Sequence, residues 1–169
     1  QTDLKRMLSF TLVSHIGYMV FGIGTGSTTG LAGALYYVAH HILIQTTLFL
    51  ATGLVERRGG STNLDRLGGL AGAAPVLAVL FFVPAMNLAG IPPMSGFIGK
   101  VGLLQAGAEL DTPLAWTLVG GGAVTSLLTL YAVAKVWSKA FWRPLADAPE
   151  AGSAPDPATL ATSGSLVVQ

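Results

Sequence analysis

The sequence Leu88-Ala-Gly-Ile-Pro-Pro-Met-Ser-Gly-Phe-Ile-Gly-Lys100 places a lysine inside a long apolar segment. Just before that lysine, Gly90, Pro92 and Pro93 interrupt any helix, because proline lacks a backbone N–H and fits poorly in a helix interior. A membrane helix tolerates such a break only where neighbouring protein or trapped water satisfies the freed backbone groups. An ionisable side chain at membrane depth is costly and by default marks a functional site. This stretch therefore predicts a broken membrane helix with a functional Lys100.

The composition is that of an integral membrane protein. Of the 169 residues, 51% are hydrophobic and only 10% are charged, whereas soluble domains carry about 25% charged residues. The net charge of +1 and the lack of a basic run give no basis for nucleic-acid binding. The chain has no cysteine, which excludes disulfide, thiolate, iron–sulfur and cysteine–zinc chemistry. No residues are set to ligate haem or flavin, so we expect no redox cofactor.

Four apolar segments are long enough to cross a bilayer, which takes about 20 residues. They cover residues 7–24, 31–54, 75–108 and 113–138. A straight helix over the third would reach about 50 Å, beyond the ~30 Å hydrocarbon core, so the break at Gly90–Pro93 also fits its length. We predict an all-α, polytopic membrane helix bundle over residues 1–143, followed by an Ala/Pro/Ser-rich tail or linker over 144–169.

The charges predict the orientation of this bundle. With four spans, the N-terminal lead, the loop after the second span and the segment after the fourth lie on one side. That side holds seven of the nine basic residues: Lys5, Arg6, Arg57, Arg58, Arg66, Lys139 and Arg143. Basic residues concentrate in the cytoplasm, so we expect the N-terminus of the chain there. The chain begins at Gln1 with no signal-peptide pattern, and we interpret it as part of a longer protein.

Lys100 is the first candidate for a functional side chain. The alternative is a lysine that extends to the membrane surface, but Lys100 lies about 12 Å from the outer end of its helix at 1.5 Å per residue. A lysine side chain covers only part of that distance. Because burial makes the charged ammonium costly, a lysine here is suited to proton exchange. Its own segment contains no acid, so we expect a partner from another helix or subunit.

Three histidines are the next candidates. Tyr37, His41 and Gln45 recur every four residues and therefore line one helical face, a polar stripe suited to proton transfer through water. His40 and His41 point about 100° apart and cannot both face one groove, and the stripe favours His41. His15, in the first span, is either a satisfied core residue or a member of the same path.

Further polar residues accompany these groups. Lys135 lies deeper in the last span than Lys139 and belongs either to a polar path or to the polar end of the helix. Asn87, just before the break, either satisfies freed backbone groups or binds an ion, and Ser95 is placed to cap the second half-helix. With no His-x-x-x-His pair and no nearby carboxylate, we expect no metal site.

Three stretches of the sequence carry a family resemblance. They are Lys5-Arg-Met-Leu-Ser-Phe-Thr-Leu-Val-Ser-His-Ile-Gly-Tyr18, His40-His41 before Thr-Leu-Phe-Leu, and Ala89-Gly-Ile-Pro-Pro-Met-Ser-Gly-Phe-Ile-Gly-Lys100. Together they resemble the antiporter-like membrane subunits of respiratory complex I and of Mrp-type multisubunit Na⁺/H⁺ antiporters. The loop Leu54-Val-Glu-Arg-Arg-Gly-Gly is most similar to the D-type subunit of the Mrp antiporters. The resemblance covers about residues 1–143.

The resemblance implies both a fold and residue roles. Such subunits have fourteen transmembrane helices in two inverted five-helix repeats, each with a broken helix, and this chain would supply the tenth to the thirteenth. Lys100 matches the lysine of the second broken helix, at the outward half-channel, and His41 matches a histidine of the central hydrophilic axis. Where many members carry a lysine, this chain has Gln45, which cannot titrate. The glutamate–lysine pair of the first repeat is absent, so we expect the fragment alone to be inactive.

Two functional hypotheses remain open, with a third of a different kind. The first is a proton-translocating subunit of a Na⁺/H⁺ antiporter in the plasma (inner) membrane, a transporter rather than an enzyme, with other membrane subunits, protons, monovalent cations and lipid as partners. The second is a proton-pumping subunit of NADH:quinone oxidoreductase, which carries out no redox step itself. The third is a structural helix bundle with no ion path, in which Lys100 would be dispensable.

Overall fold

The computed structural model describes residues 3–148 and is an all-α bundle over that range. Its helices are α1 (Leu4–Gly24), α2 (Thr28–Gly59), the single turn α3 (Leu70–Ala73), α4 (Pro75–Ala89), α5 (Ser95–Ala108) and α6 (Pro113–Trp137). A π-helical turn, Ser138–Trp142, extends α6, and a 3₁₀ turn, Leu145–Asp147, follows it. Most of the predicted tail, residues 149–169, lies outside the described residues.

Three helices are long and apolar enough to cross a membrane on their own. They are α1 with 21 residues, α2 with 32 residues, and α6 together with its π-helical extension, Pro113–Trp142, with 30 residues. At 1.5 Å per residue α2 alone is about 48 Å long, longer than the ~30 Å hydrocarbon core. The prediction of an all-α polytopic membrane bundle is confirmed.

The third predicted span consists of two short helices, as the glycine and prolines predict. α4 has 15 residues and α5 has 14, about 22 Å each at most, so neither half crosses the core alone. α4 ends at Gly90, which adopts a left-handed conformation with φ 79° and donates its N–H back to Met86 and Asn87. Glycine takes this conformation without the steric cost of a Cβ. The predicted break at Gly90–Pro93 is confirmed.

The bundle is built around α2, which packs against α1, α4 and α5, while α6 packs against α4 and α5. Two glycines let α5 approach α2 closely. A Cβ on Gly99 would lie 2.9 Å from Tyr37 Cδ2, and one on Gly96 would lie 3.0 Å from His40 Nε2. A Cβ added to Gly102, one turn later on α5, would have no neighbour within 4 Å among the described residues.

One end of the bundle gathers the chain segments that the charge pattern assigns to a single side. The Lys5 Nζ lies 2.7 Å from Glu56 Oε2, and the Lys139 Nζ lies 3.0 Å from Asp65 Oδ1. The Arg143 guanidinium donates to the carbonyl of Leu67 at 2.9 Å. The loop after α2 is therefore held by the ends of α1 and α6, and its residues Leu64 and Leu67 are buried.

Candidate functional site

Lys100 is buried between the two halves of the broken helix. Its side chain is 3% exposed, and Nζ donates to the carbonyl oxygens of Leu88 and Ala89, each at 3.1 Å. These carbonyls end α4, where the helix dipole is negative and favours a cation. Nζ also lies 5.6 Å from the ring centroid of Tyr18, within range of a cation–π contact. The Lys100 ammonium thus bonds to the preceding half of the same broken helix, and a partner from another helix or subunit stays a prediction.

His15 and His41 meet in the core between α1 and α2. Their rings stack with centroids 4.9 Å apart, and His15 Nδ1 is hydrogen-bonded to the Tyr37 hydroxyl at 2.8 Å. Tyr37, His41 and Gln45 are all buried, so the polar stripe predicted on α2 faces inward. The structure thus brings His15 of the first span together with the polar stripe of the second.

Several nitrogen and oxygen atoms of this cluster are buried without a hydrogen-bond partner within residues 3–148. They are Nε2 of His15, both ring nitrogens of His41 and Oε1 of Gln45. The amide nitrogen of Gln45 donates to the carbonyl of Leu8 at 2.8 Å. His41 and Gln45 also line an open groove of about 470 Å³ whose other walls are mostly apolar. Buried polar atoms are normally hydrogen-bonded, so each of these atoms can form a hydrogen bond with water, and the two imidazoles can also accept a proton.

Tyr18 links the histidine cluster to Lys100. Its ring centroid lies 5.8 Å from that of Tyr37, and its hydroxyl donates to the carbonyl of Gly122 and is bonded to Ser126 Oγ at 2.8 Å. No role for Tyr18 was predicted from the sequence. A signal was available, because Tyr18 follows His15 by three residues and so shares its helical face.

His40 belongs to a different cluster at the helix break. Its Nδ1 lies 3.2 Å from Ser95 Oγ, and that hydroxyl donates to Asn87 Oδ1 at 3.0 Å. The expectation that Ser95 caps α5 is wrong, because Ser95 is already the first helical residue and the preceding Met94 makes no side-chain cap. Asn87 Oδ1 instead accepts the backbone N–H of Gly96 at 3.1 Å.

Lys135 is not brought to either cluster. It lies exposed on α6 one turn after Tyr131, which is 67% exposed, whereas Lys100 and His41 are buried. The part of the chain that the structure describes contains no group of three or more His, Cys, Asp or Glu residues that could hold a metal ion.

Residues 1–129 match the family model described as NADH:quinone oxidoreductase/Mrp antiporter, transmembrane. The chain belongs to this family. Within the NADH:quinone oxidoreductase/Mrp antiporter family, it is 42% identical over 142 residues to the D-type subunit of the Na⁺/H⁺ antiporter of Alkalihalophilus pseudofirmus, covering 84% of this chain and 28% of that relative. It is 36% identical over 134 residues to the N-type subunit of NADH-quinone oxidoreductase of Granulibacter bethesdensis, covering 78% of this chain and 28% of the relative.

A solved structure of the same family has the same fold. A chain of the Mrp complex from Dietzia sp. DQ12-45-1b superposes with a TM-score of 0.78 at 35% identity, covering 96% of this chain and 32% of that one. The chain therefore spans about a third or less of the length of these family members. The predicted resemblance to Mrp antiporter and complex I membrane subunits is confirmed, and with it a multi-pass membrane protein.

Proposed function

We propose that this chain forms part of the proton-translocating subunit of a multisubunit Na⁺/H⁺ antiporter. The observation that carries the proposal is the burial of Lys100 beside the carbonyl end of α4, within reach of Tyr18. A buried cation with no carboxylate partner among residues 3–148 is costly to keep charged. A residue in that position is suited to gaining and losing a proton.

Protons would reach Lys100 through the aromatic and imidazole groups between α1 and α2. The unpaired ring nitrogens of His41 and His15 can accept and release a proton, and the Tyr37 hydroxyl, bonded to His15, can pass it on. Gln45 cannot titrate, so its free oxygen would orient water at that end. Neither ring nitrogen of His41 has a hydrogen-bond partner among residues 3–148, so water would bridge the steps to and from His41.

The surroundings of this path follow from the family and the charges. Relatives named as the D-type antiporter subunit and the Mrp complex support other membrane subunits as partners and Na⁺ as the exchanged cation, with no redox step in this subunit. The basic end of the bundle, which includes Lys5 and Arg143, supports an N-terminus in the cytoplasm of a plasma-membrane protein.

A second candidate is the proton-pumping subunit of an NADH:quinone oxidoreductase. The 36% identity to an N-type subunit of that enzyme favours it specifically, and the same Lys100 path would serve either machine. The two differ in what drives the protons, which is a Na⁺ gradient in one case and NADH oxidation elsewhere in the complex in the other.

The deciding experiment measures proton movement in inverted membrane vesicles that contain the whole parent complex. Vesicles with an acid interior receive Na⁺, and a fluorescent probe follows the pH gradient in wild type and in Lys100→Ala. We expect Na⁺ to collapse the gradient in wild type and to have no effect beyond background in the variant, with the complex present at normal abundance.

The matched control is Lys5→Ala, which removes an exposed lysine whose surface ion pair contributes about 1 kcal/mol or less. It should exchange like wild type. A wild type that ignores Na⁺ but builds a gradient from NADH would establish the second candidate instead. Normal exchange in Lys100→Ala would refute both. Lys135→Ala, tested beside them, should exchange Na⁺ and H⁺ like wild type, because Lys135 is exposed on α6 and we place it off the path.

A further inference from the structure

The two halves of the broken helix are joined by a second link besides Lys100. Asn87, in the last turn of α4, extends its side-chain oxygen to α5, where Oδ1 accepts the Ser95 hydroxyl at 3.0 Å and the Gly96 N–H at 3.1 Å. The first N–H groups of a helix have no partner within it and usually bond to a capping side chain. Here the cap of α5 comes from the preceding helix.

The links run in opposite directions across the break. Lys100 of α5 donates to the last carbonyls of α4, Leu88 and Ala89, and the side chain of Asn87 accepts from the first turn of α5. Those carbonyls belong to the two residues directly after Asn87. The Asn87 bonds therefore hold the oxygen atoms that receive the Lys100 ammonium at a defined distance from the helix that carries the lysine.

A third element anchors this arrangement. Because the Ser95 hydroxyl donates to Asn87, its oxygen is left to accept from His40, so the proton of the His40 ring is assigned to Nδ1, 3.2 Å away. Gly96 packs so closely against the Asn87 carbonyl and His40 that a Cβ there would collide. The network thus ties both half-helices to α2, the central helix of the bundle.

We propose that Asn87 is a positioning residue for proton transfer at Lys100, acting with Ser95 and His40 as a latch across the helix break. The latch does not touch the transferred proton. It fixes the separation between the Lys100 ammonium and the α4 carbonyls, and small displacements of such groups are costly for reaction rates. This inference rests on the proposed function only in requiring that Lys100 transfers protons, by whichever driving force.

The test compares Asn87→Leu with Asn87→Gln in the full-length subunit within its assembled complex, using the vesicle assay above. Leucine removes the acceptor, whereas glutamine keeps a neutral amide oxygen on a side chain one methylene longer. We expect Asn87→Leu to lower the maximal rate per assembled complex by about 10- to 100-fold, while the KM for Na⁺ stays within about twofold. Asn87→Gln should retain more of the rate than Asn87→Leu, and Ser95→Ala, which leaves the Gly96 bond, should also lose less than Asn87→Leu.

Asn63→Leu is the matched control, because Asn63 also accepts a backbone N–H with its side chain, that of Asp65 at 3.0 Å, but does so in the loop after α2. It should leave the rate per complex unchanged. An Asn87→Leu complex that transports at the wild-type rate while Lys100→Ala is inactive would overturn the latch and leave the proposed function standing. An Asn87→Gln variant as slow as Asn87→Leu would also overturn it. If Lys100→Ala is itself normal, the proposed function fails first.

Discussion

Gly90 is the residue at which the backbone of the helix break meets the side chain of Lys100. Its φ of 79° is a left-handed conformation, and a Cβ built on it would lie 3.0 Å from Lys100 Cδ and 3.3 Å from Nζ. An alanine would therefore strain the backbone by about 1–2 kcal/mol and also displace the lysine from its carbonyls. We expect Gly90→Ala to lower the exchange rate per assembled complex at least about tenfold, for the same reason that misplaced groups react slowly.

The control for this substitution is Gly60→Ala. Gly60 follows the last residue of α2 and has a φ of 72°, and a Cβ added to it would have no neighbour within 4 Å among the described residues. An alanine there therefore adds the same backbone strain without touching Lys100. It should reduce abundance or thermal stability but leave the rate per complex intact. Equal loss of rate in both variants would show that backbone strain alone explains the Gly90 effect.

Individual site residues were predictable where one helix carries the signal and unpredictable where several do. The four-residue spacing of Tyr37, His41 and Gln45 fixes a shared face on α2, and the structure buries that face. The 100° offset between adjacent residues separates His40 from His41. For Asn87 the sequence predicted either a bond to freed backbone groups or an ion. Which backbone group it meets, the N–H of Gly96, depends on how α4 and α5 meet after the break, and no local pattern specifies that geometry.

The contact between α2 and α5 sets the distance between the histidine cluster and Lys100. Gly99 lies against two tyrosines of α2, and a Cβ on it would approach Tyr37 Cδ2 to 2.9 Å and Tyr36 Cε1 to 3.1 Å. We expect Gly99→Ala to push the helices apart and cost about 1–3 kcal/mol, the usual range for overpacking a close contact. The readouts are the melting temperature of the purified complex and the vesicle exchange rate, both of which should fall.

Gly102→Ala is the matched change one turn later on α5. Its added Cβ would have no neighbour within 4 Å in the described part of the chain. The substitution should therefore leave both readouts at or above wild type, since alanine favours a helix by about 1 kcal/mol over glycine. A Gly99→Ala complex as stable and active as Gly102→Ala would mean that α2 and α5 are not held at this distance in the membrane.

At the scale of helices, apolar length and helix breakers predicted the elements well, because a bilayer requires every backbone group to be satisfied within helices. The break in the third span is a consequence of Gly90, Pro92 and Pro93 and was visible in the sequence. The burial of the loop after α2 was not visible in the sequence, because its polar composition resembles that of a solvated segment. Leu64 and Leu67 of this loop are buried, and Lys139 and Arg143, more than 70 residues further along the chain, form hydrogen bonds with it.

At the scale of the whole molecule, the contacts and the distribution of basic residues both place the same three segments on one side of the bundle. Lys5 meets Glu56, and Lys139 meets Asp65, so the start of α1, the loop after α2 and the end of α6 share one face. The turn between α5 and α6 lies at the opposite end of α6 and carries Glu109 and Asp111. The excess of basic residues on this face favours a cytoplasmic location for it through the positive-inside rule.

The orientation can therefore be tested by cysteine labelling of the full-length subunit. This chain has no cysteine, and any cysteines elsewhere in the subunit are first replaced. Arg58→Cys and Glu109→Cys place single thiols at exposed positions of opposite ends. With a membrane-impermeant maleimide, we expect Arg58→Cys to react in inverted vesicles and Glu109→Cys in right-side-out vesicles, because basic segments stay in the cytoplasm. The reverse pattern would show that the bundle has the opposite orientation in the membrane. Both thiols should react in detergent-solubilised samples, which is the control that excludes burial as the reason for a missing label. Labelling of both positions from one side would contradict the broken span itself, since α4 and α5 together would then fail to cross the membrane.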